Sequence, residues 1–169
     1  MAFYKLIERE NTITFQLTKG NAIFHFFFFR LYPYLLIVLG LGLIFLMAYE
    51  SGPDKWLMAL GLLPIAIAIF MLSTHYTLSV EFAKDGIKHT TKSSFRGTIE
   101  SFYYTAQLKG LAYRITFGRG RGLLLLAQRN EGKNIKLFQV PSLRLDKLEV
   151  IKDAKKAAQI IGFELIEEN

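Results

Sequence analysis

Residues 31–49, "LYPYLLIVLGLGLIFLMAY", carry no charged side chain, and neither do residues 56–74, "WLMALGLLPIAIAIFMLST". As a helix rising ~1.5 Å per residue, each stretch would cover about 28 Å, close to the ~30 Å hydrocarbon thickness of a bilayer. Neither stretch alternates as a strand does, and neither has a polar stripe to turn toward water. A chain of 169 residues has too little left over to wrap two helices that are apolar on every side. Two membrane-spanning helices are therefore expected. The link between them, "ESGPDK" (Glu50 to Lys55), is turn chemistry, with Gly and Pro each setting backbone angles a helix does not continue through. So short a link predicts an antiparallel hairpin, residues 31–74.

Charge sets the expected orientation. Before the first stretch Lys5, Arg9, Lys19 and Arg30 outnumber Glu8 and Glu10, while the link has Glu50 and Asp54 against Lys55. After the second stretch stand sixteen Lys/Arg and ten Asp/Glu. The positive-inside rule then puts both termini in the cytoplasm and the link outside, as a multi-pass protein of the inner membrane. The first twenty residues are charged throughout and lack a small-residue cleavage pattern, so no cleavable signal peptide is expected. Tyr32, Tyr34, Tyr49, Trp56 and Tyr76 fall at the ends of the two stretches, where amphipathic rings suit the membrane interface. "HFFFFR" (His25 to Arg30) reads as an interfacial segment with Arg30 reaching back to the headgroups, or as an inward extension of the first helix. His25 is read as an interface residue, not a ligand. Gly40, Gly42, Gly61, Ala66 and Ala68 offer small-residue surfaces for helix–helix packing, and Pro64 is expected to kink the second helix.

Beyond Thr74 the period changes to two. "YTLSVEFA" alternates Leu78, Val80 and Phe82 with Thr77, Ser79 and Glu81, and "KDG" (Lys84 to Gly86) turns it back on itself. Further short strands end at Tyr104, Phe117, Gln128 and Val140, six in all, joined by glycine-bearing turns. Such a meander closes as a small antiparallel sandwich or barrel. A helix over 146–161 follows, with Asp146 and Glu149 at capping-box spacing and Gly162 at its end. Its apolar stripe is read as Leu148, Ile151, Ala154, Ala158 and Ile161. "FELI" either adds a strand or tucks into the core. Phe3–Ile7 and Thr12–Thr18 also alternate, and this N-terminal hairpin is expected to join the same sheet. Residues 1–30 thus form a β-hairpin and interfacial segment, 31–74 the transmembrane hairpin, and 75–169 a cytoplasmic β domain.

This order of parts resembles the small bacterial membrane proteins with a pleckstrin-homology-like domain, including the YcxB-like group. The resemblance rests on the two-helix hairpin, the strand opening Tyr76, Leu78, Val80 directly after it, the turn Asp85 to Ile87, and the terminal helix. The layout is also similar to that of the photosystem I assembly factor of chloroplasts and cyanobacteria. It implies a membrane α+β protein: a transmembrane hairpin carrying a pleckstrin-homology-like β domain with a C-terminal helix.

"GRGRG" (Gly118 to Gly122) sets Arg119 and Arg121 between two strands. It opens no helix, so it lacks the aligned N–H groups of a phosphate loop. It is read as a glycine-rich turn, or as a rigid tip presenting both arginines to lipid phosphates or an acidic partner. "LLLL" (Leu123 to Leu126) puts two leucines on each face of a strand. One pair fills the core, and the other needs cover from the helix, the bilayer surface or a partner.

The net charge of +7 favours anionic neighbours. Nucleic acid is a poor fit, since no stacking motif accompanies the charge. There are no cysteines, and His25, His75 and His89 are scattered singly, so no metal site or cofactor is expected. Asp85, Glu100 and Asp146 sit in a turn, a strand and a cap, and no nucleophile elbow or metal-ligand pair is visible. The expected role is a non-enzymatic accessory subunit or assembly scaffold of a larger membrane protein complex. The alternative is a sensor that binds anionic lipid headgroups or another ligand through its basic β domain.

Overall fold

The computed structural model describes residues 4–50, 55–93, 96–116, 122–141 and 147–168. The protein is α+β, with two β-sheets and a long apolar helix near the N-terminus. Strands β1 (Tyr4–Arg9) and β2 (Thr12–Leu17) form a hairpin. Helix α1 (Lys19–Phe26) passes through a π-helical turn at Phe27–Leu31 into α2 (Tyr32–Glu50). In that turn the N–H of Tyr32 donates to the carbonyl of Phe27, five residues back. "HFFFFR" is thus an extension of the helix: a run of aromatics contains neither Gly nor Pro to stop it.

Helix α3 (Lys55–Ser73) includes Pro64. Among the described residues one helix, Lys19–Tyr49, is long and apolar enough to cross a membrane, while the apolar run Leu60–Ser73 is shorter.

Strands β3 (His75–Ala83), β4 (Gly86–Ser93), β5 (Gly97–Tyr104), β6 (Leu108–Thr116), β7 (Gly122–Arg129) and β8 (Ile135–Pro141) follow, then α4 (Lys147–Ile161) and β9 (Leu165–Glu167). The first sheet has the order β1-β2-β3-β4-β5, and the second β8-β7-β6-β9. The N-terminal hairpin therefore shares a sheet with the strands after α3. Gln16 stands opposite Ser79 and Phe15 opposite Val80 in the antiparallel β2–β3 pair. The second sheet is mixed, because β9, from "FELI", runs parallel to β6 with Leu111 opposite Leu165. An all-antiparallel meander is corrected on that point.

By its contacts the chain divides into two compact units. One comprises residues 1–18, 77–91 and 99–169, and the other residues 19–76 and 92–98. By contacts, the N-terminal hairpin parts from the helix that follows it and belongs with the β-rich unit.

Alternation in the strands builds that unit's core. Ile13 and Phe15 from β2, Val80 and Phe82 from β3, Leu123 and Leu125 from β7, and Leu137, Phe138 and Val140 from β8 are all buried together. The Phe15 ring lies 5.0 Å from Phe138, 5.1 Å from Tyr4 and 5.5 Å from Phe82, the last edge to face. Centroid spacings of this kind favour aromatic pairs beyond the area they bury.

Helix α4 adds Val150, Ala154, Ala157, Ala158 and Ile161 to the same cluster, so its alanines let it sit close. Its buried stripe is rotated from the one read in the sequence: Leu148 is 80% exposed and Val150 takes the inward position. The helix also groups with Leu123 and Leu125, while Leu124 and Leu126 form a separate buried cluster with Ala112. Docking of α4 is therefore not what covers the second leucine pair.

Side chains tie α4 to the N-terminal hairpin. The Tyr4 hydroxyl donates to Asp153 at 3.0 Å, and the Lys156 ammonium meets Glu8 at 2.6 Å. The helix closes on Gly162, whose φ of +86° is left-handed. The Phe163 N–H donates to the Ala158 carbonyl and the Gly162 N–H to that of Gln159, which is the Schellman ending that glycine permits.

Replacing Phe15 with Ala removes the ring at the centre of this aromatic group. A loss of roughly 3–5 kcal/mol in unfolding free energy is expected, measured by denaturant titration of the full chain in detergent. A loss below about 1 kcal/mol would show that the ring is not in the core.

Candidate functional site

The residues singled out in the sequence fall into three groups. Arg119 and Arg121 lie outside the described residues, as does Asp146. Two possible catalytic carboxylates are accounted for structurally: Glu100 pairs with Lys88 at 2.9 Å, and Asp85 occupies the β3–β4 turn, where its carbonyl accepts the Thr105 N–H. Hydrogen bonding to Glu100 holds the Lys88 ammonium above the usual lysine range.

The second group concerns helix packing. Helices α2 and α3 pack against each other where Gly40 meets Gly61. A Cβ on Gly40 would lie 2.6 Å from the Gly61 carbonyl oxygen and 2.6 Å from Cγ1 of Ile65. A Cβ on Gly61 would lie 2.5 Å from Cγ1 of Ile44 and 2.9 Å from the Gly40 carbonyl oxygen. Both glycines thus let the two backbones approach closely. Ala68 is fully buried. Gly42 has nothing within 4 Å of its missing Cβ, and Ala66 is exposed, so neither lies at that contact.

The third group gathers around Tyr76. His25 and Phe29 come from the long helix, and Tyr76 stands at the start of β3. The three rings stack, with His25 to Tyr76 at 4.8 Å and 10° and His25 to Phe29 at 5.4 Å and 16°. Arg30, in the π-helical turn, lies 5.8 Å from the Phe26 ring. Burial raises the Tyr76 phenol and the nearby Arg30 charge draws it back, so the hydroxyl stays protonated at neutral pH. These residues, with Lys92 and Ser93 at the end of β4, line one pocket. Tyr32, Tyr34 and Tyr49 are exposed along the helix, and Trp56 belongs to the first turns of α3.

Sequence reading noticed His25, Arg30 and Tyr76 separately, and missed Lys92 and Ser93. Nothing local marks a Lys-Ser pair ending a strand. Only the return of β4 to the start of β3 brings them near the helix.

The β-rich unit holds a buried polar group of its own. His89 on β4 is 7% exposed. Its Nε2 lies 3.0 Å from the Thr77 hydroxyl, which itself donates to the Leu137 carbonyl at 2.7 Å. With the hydroxyl proton given to Leu137, Thr77 can accept from Nε2 in the tautomer that carries the proton there. Burial lowers the His89 pKa, and hydrogen bonding to the Leu137 carbonyl offsets this in part.

No family model matches the chain, and no curated protein matches it either.

Two outcomes are expected. Gly61→Ala should lower the thermal unfolding midpoint of the detergent-solubilised protein, equivalent to about 1–3 kcal/mol of overpacking, while Gly42→Ala leaves it unchanged. Equal effects would remove the close approach from the account. For His89 the lowered folded pKa means the unfolded chain takes up the proton first. Its contribution to stability is complete above the ordinary value of about 6.5 and declines as pH falls through and below it. Between about pH 7.5 and 5.5 the wild type should lose more stability than His89→Gln; parallel losses would refute the assignment.

Proposed function

We propose that this chain is a non-enzymatic integral protein of the inner membrane, acting as an accessory subunit or assembly scaffold for a larger membrane protein complex. In this reading its apolar helices cross the bilayer as a hairpin, and both termini face the cytoplasm. The β-rich unit is a pleckstrin-homology-like module.

The observation that carries the reading is the surface of the long helix. Only 11% of its most apolar window is buried within the protein, whereas a core helix of a water-soluble domain hides most of that surface. Phe45 is 72% exposed, Val38 68% and Leu35 59%; on α3, Phe70 is 71% exposed. A contiguous apolar surface of this extent is unstable in water at roughly 25 cal/mol per Å² and is at home in lipid.

Strand pairing supports two crossings over one. Because β2 and β3 pair directly, the chain leaves the sheet after Leu17 and rejoins it at His75. Both ends of the helical excursion then reach the same sheet, which on the membrane reading supports an even number of crossings. The excess of Lys and Arg outside the hairpin supports a cytoplasmic location for that side. The Gly40–Gly61 approach supports a packed helix pair, the kind of contact by which helices associate in lipid. The scaffold role rests on the combination of a membrane anchor and a folded module with no reactive constellation in the sequence.

Expression with tags on both termini tests the reading. The protein should stay in the membrane fraction after alkaline carbonate washing, both tags should be labelled only from the cytoplasmic side, and mild-detergent purification should recover a stoichiometric membrane protein with it. Release by carbonate would overturn the membrane assignment, labelling of the tags from opposite sides the hairpin, and purification of the chain alone at native abundance the scaffold role.

A further inference from the structure

The pocket beside Tyr76 unites chemistry from three separated stretches of the chain: His25, Phe29 and Arg30 from the long helix, Tyr76 from β3, and Lys92 and Ser93 from β4. All six residues belong to one compact unit. Two of them are cations, and no carboxylate is among the described residues that line the pocket. Among the described residues neither Arg30 nor Lys92 forms an ion pair, whereas Lys88, Arg114 and Lys156 each have an acidic partner.

The polar neighbours are donors too. The protonated Tyr76 hydroxyl offers a hydrogen bond, and the Ser93 hydroxyl, which accepts the Arg96 N–H at 3.5 Å, keeps its own proton to give. Two cations and two hydroxyl donors around one space call for a compact anion with several acceptor oxygens, which describes a phosphate group. The cleft is open to solvent and encloses room for little more than a water molecule, so a bound anion would sit at its mouth with the rest of its molecule outside.

Position along the chain indicates the source. Arg30 immediately precedes the uncharged stretch that starts at Leu31, and Tyr76 follows the one that ends at Thr74. On the membrane reading above, the pocket lies where apolar helix gives way to charged chain, which is headgroup level. The π-helical turn that contains Phe29 and Arg30 is a local departure of the kind that recurs at functional sites.

We propose that Arg30, Lys92, Tyr76 and Ser93 form a binding site for the phosphate of an anionic glycerophospholipid at the inner edge of the hairpin. The stacked rings of Phe29, His25 and Tyr76 line it on the apolar side. Arg30 and Lys92 supply the charge, and Ser93 and the Tyr76 hydroxyl orient the phosphate oxygens. This rests on the membrane reading and places the contact away from Arg119 and Arg121.

The test uses the full chain in neutral detergent. Phosphatidylglycerol and phosphatidylcholine are titrated separately and bound lipid is counted by native mass spectrometry, with inorganic phosphate as competitor. Wild type should bind phosphatidylglycerol at least tenfold more tightly than phosphatidylcholine. Arg30→Gln/Lys92→Gln should abolish that preference, and Arg119→Gln/Arg121→Gln should keep it. Lys92→Arg serves as the conservative variant and should retain most of the binding. Displacement of phosphatidylglycerol by inorganic phosphate at comparable concentration supports the phosphate site while assigning it to a soluble ligand.

Equal binding of the two lipids by wild type overturns the proposal without reference to any variant. So does an unchanged preference in the Arg30/Lys92 double variant. A chain that stays in solution without detergent would instead defeat the membrane reading, so the two failures are distinct.

Discussion

The pairing of β2 with β3 constrains most of what surrounds it. Phe15 reaches its place opposite Val80 only because the chain, after the long helix and α3, comes back to the strand it left. Everything between Leu17 and His75 is therefore an excursion from one sheet. On the membrane reading proposed above, this pairing is an argument for an even number of crossings that makes no appeal to charge. The hydrophobic pattern says that a segment can enter lipid; strand pairing says where it must return.

The two units use different physical means of staying together. In the β-rich unit, aromatic and branched side chains from both sheets and α4 exclude water from a shared interior. Its buried His89 is satisfied through a chain that runs from the ring to Thr77 and on to the Leu137 carbonyl. The helical unit exposes its large side chains and brings backbones together at Gly40 and Gly61. That division matches the two solvents proposed for them. Water drives the first kind of association, whereas packing between small residues is what remains in hydrocarbon.

Much of the framework was legible in the sequence because it depends on periodicity. Alternation marked the strands from Tyr76 onward, and the absence of charge marked the apolar stretches. Gly162 announced the end of α4 because few other residues adopt its φ. What was not legible depends on three-dimensional return. Val150 displaced Leu148 from the inward face of α4, since both satisfy a helical spacing and only packing chooses between them. Leu124 and Leu126 found burial apart from that helix. Lys92 and Ser93 had no local signature at all, and their significance comes from neighbours more than fifteen positions away along the chain.

The β-rich unit draws on residues 1–18, 77–91 and 99–169, and this broken continuity has a consequence for biogenesis. During synthesis β1 and β2 emerge first, yet the partners that enclose Ile13 and Phe15 emerge only after the apolar helices. The opening hairpin must wait with its apolar face uncovered, and α4 closes over it last. Synthesis of the apolar helices thus comes before completion of the β-rich core, and the early hairpin is the part of the nascent chain most in need of chaperone protection.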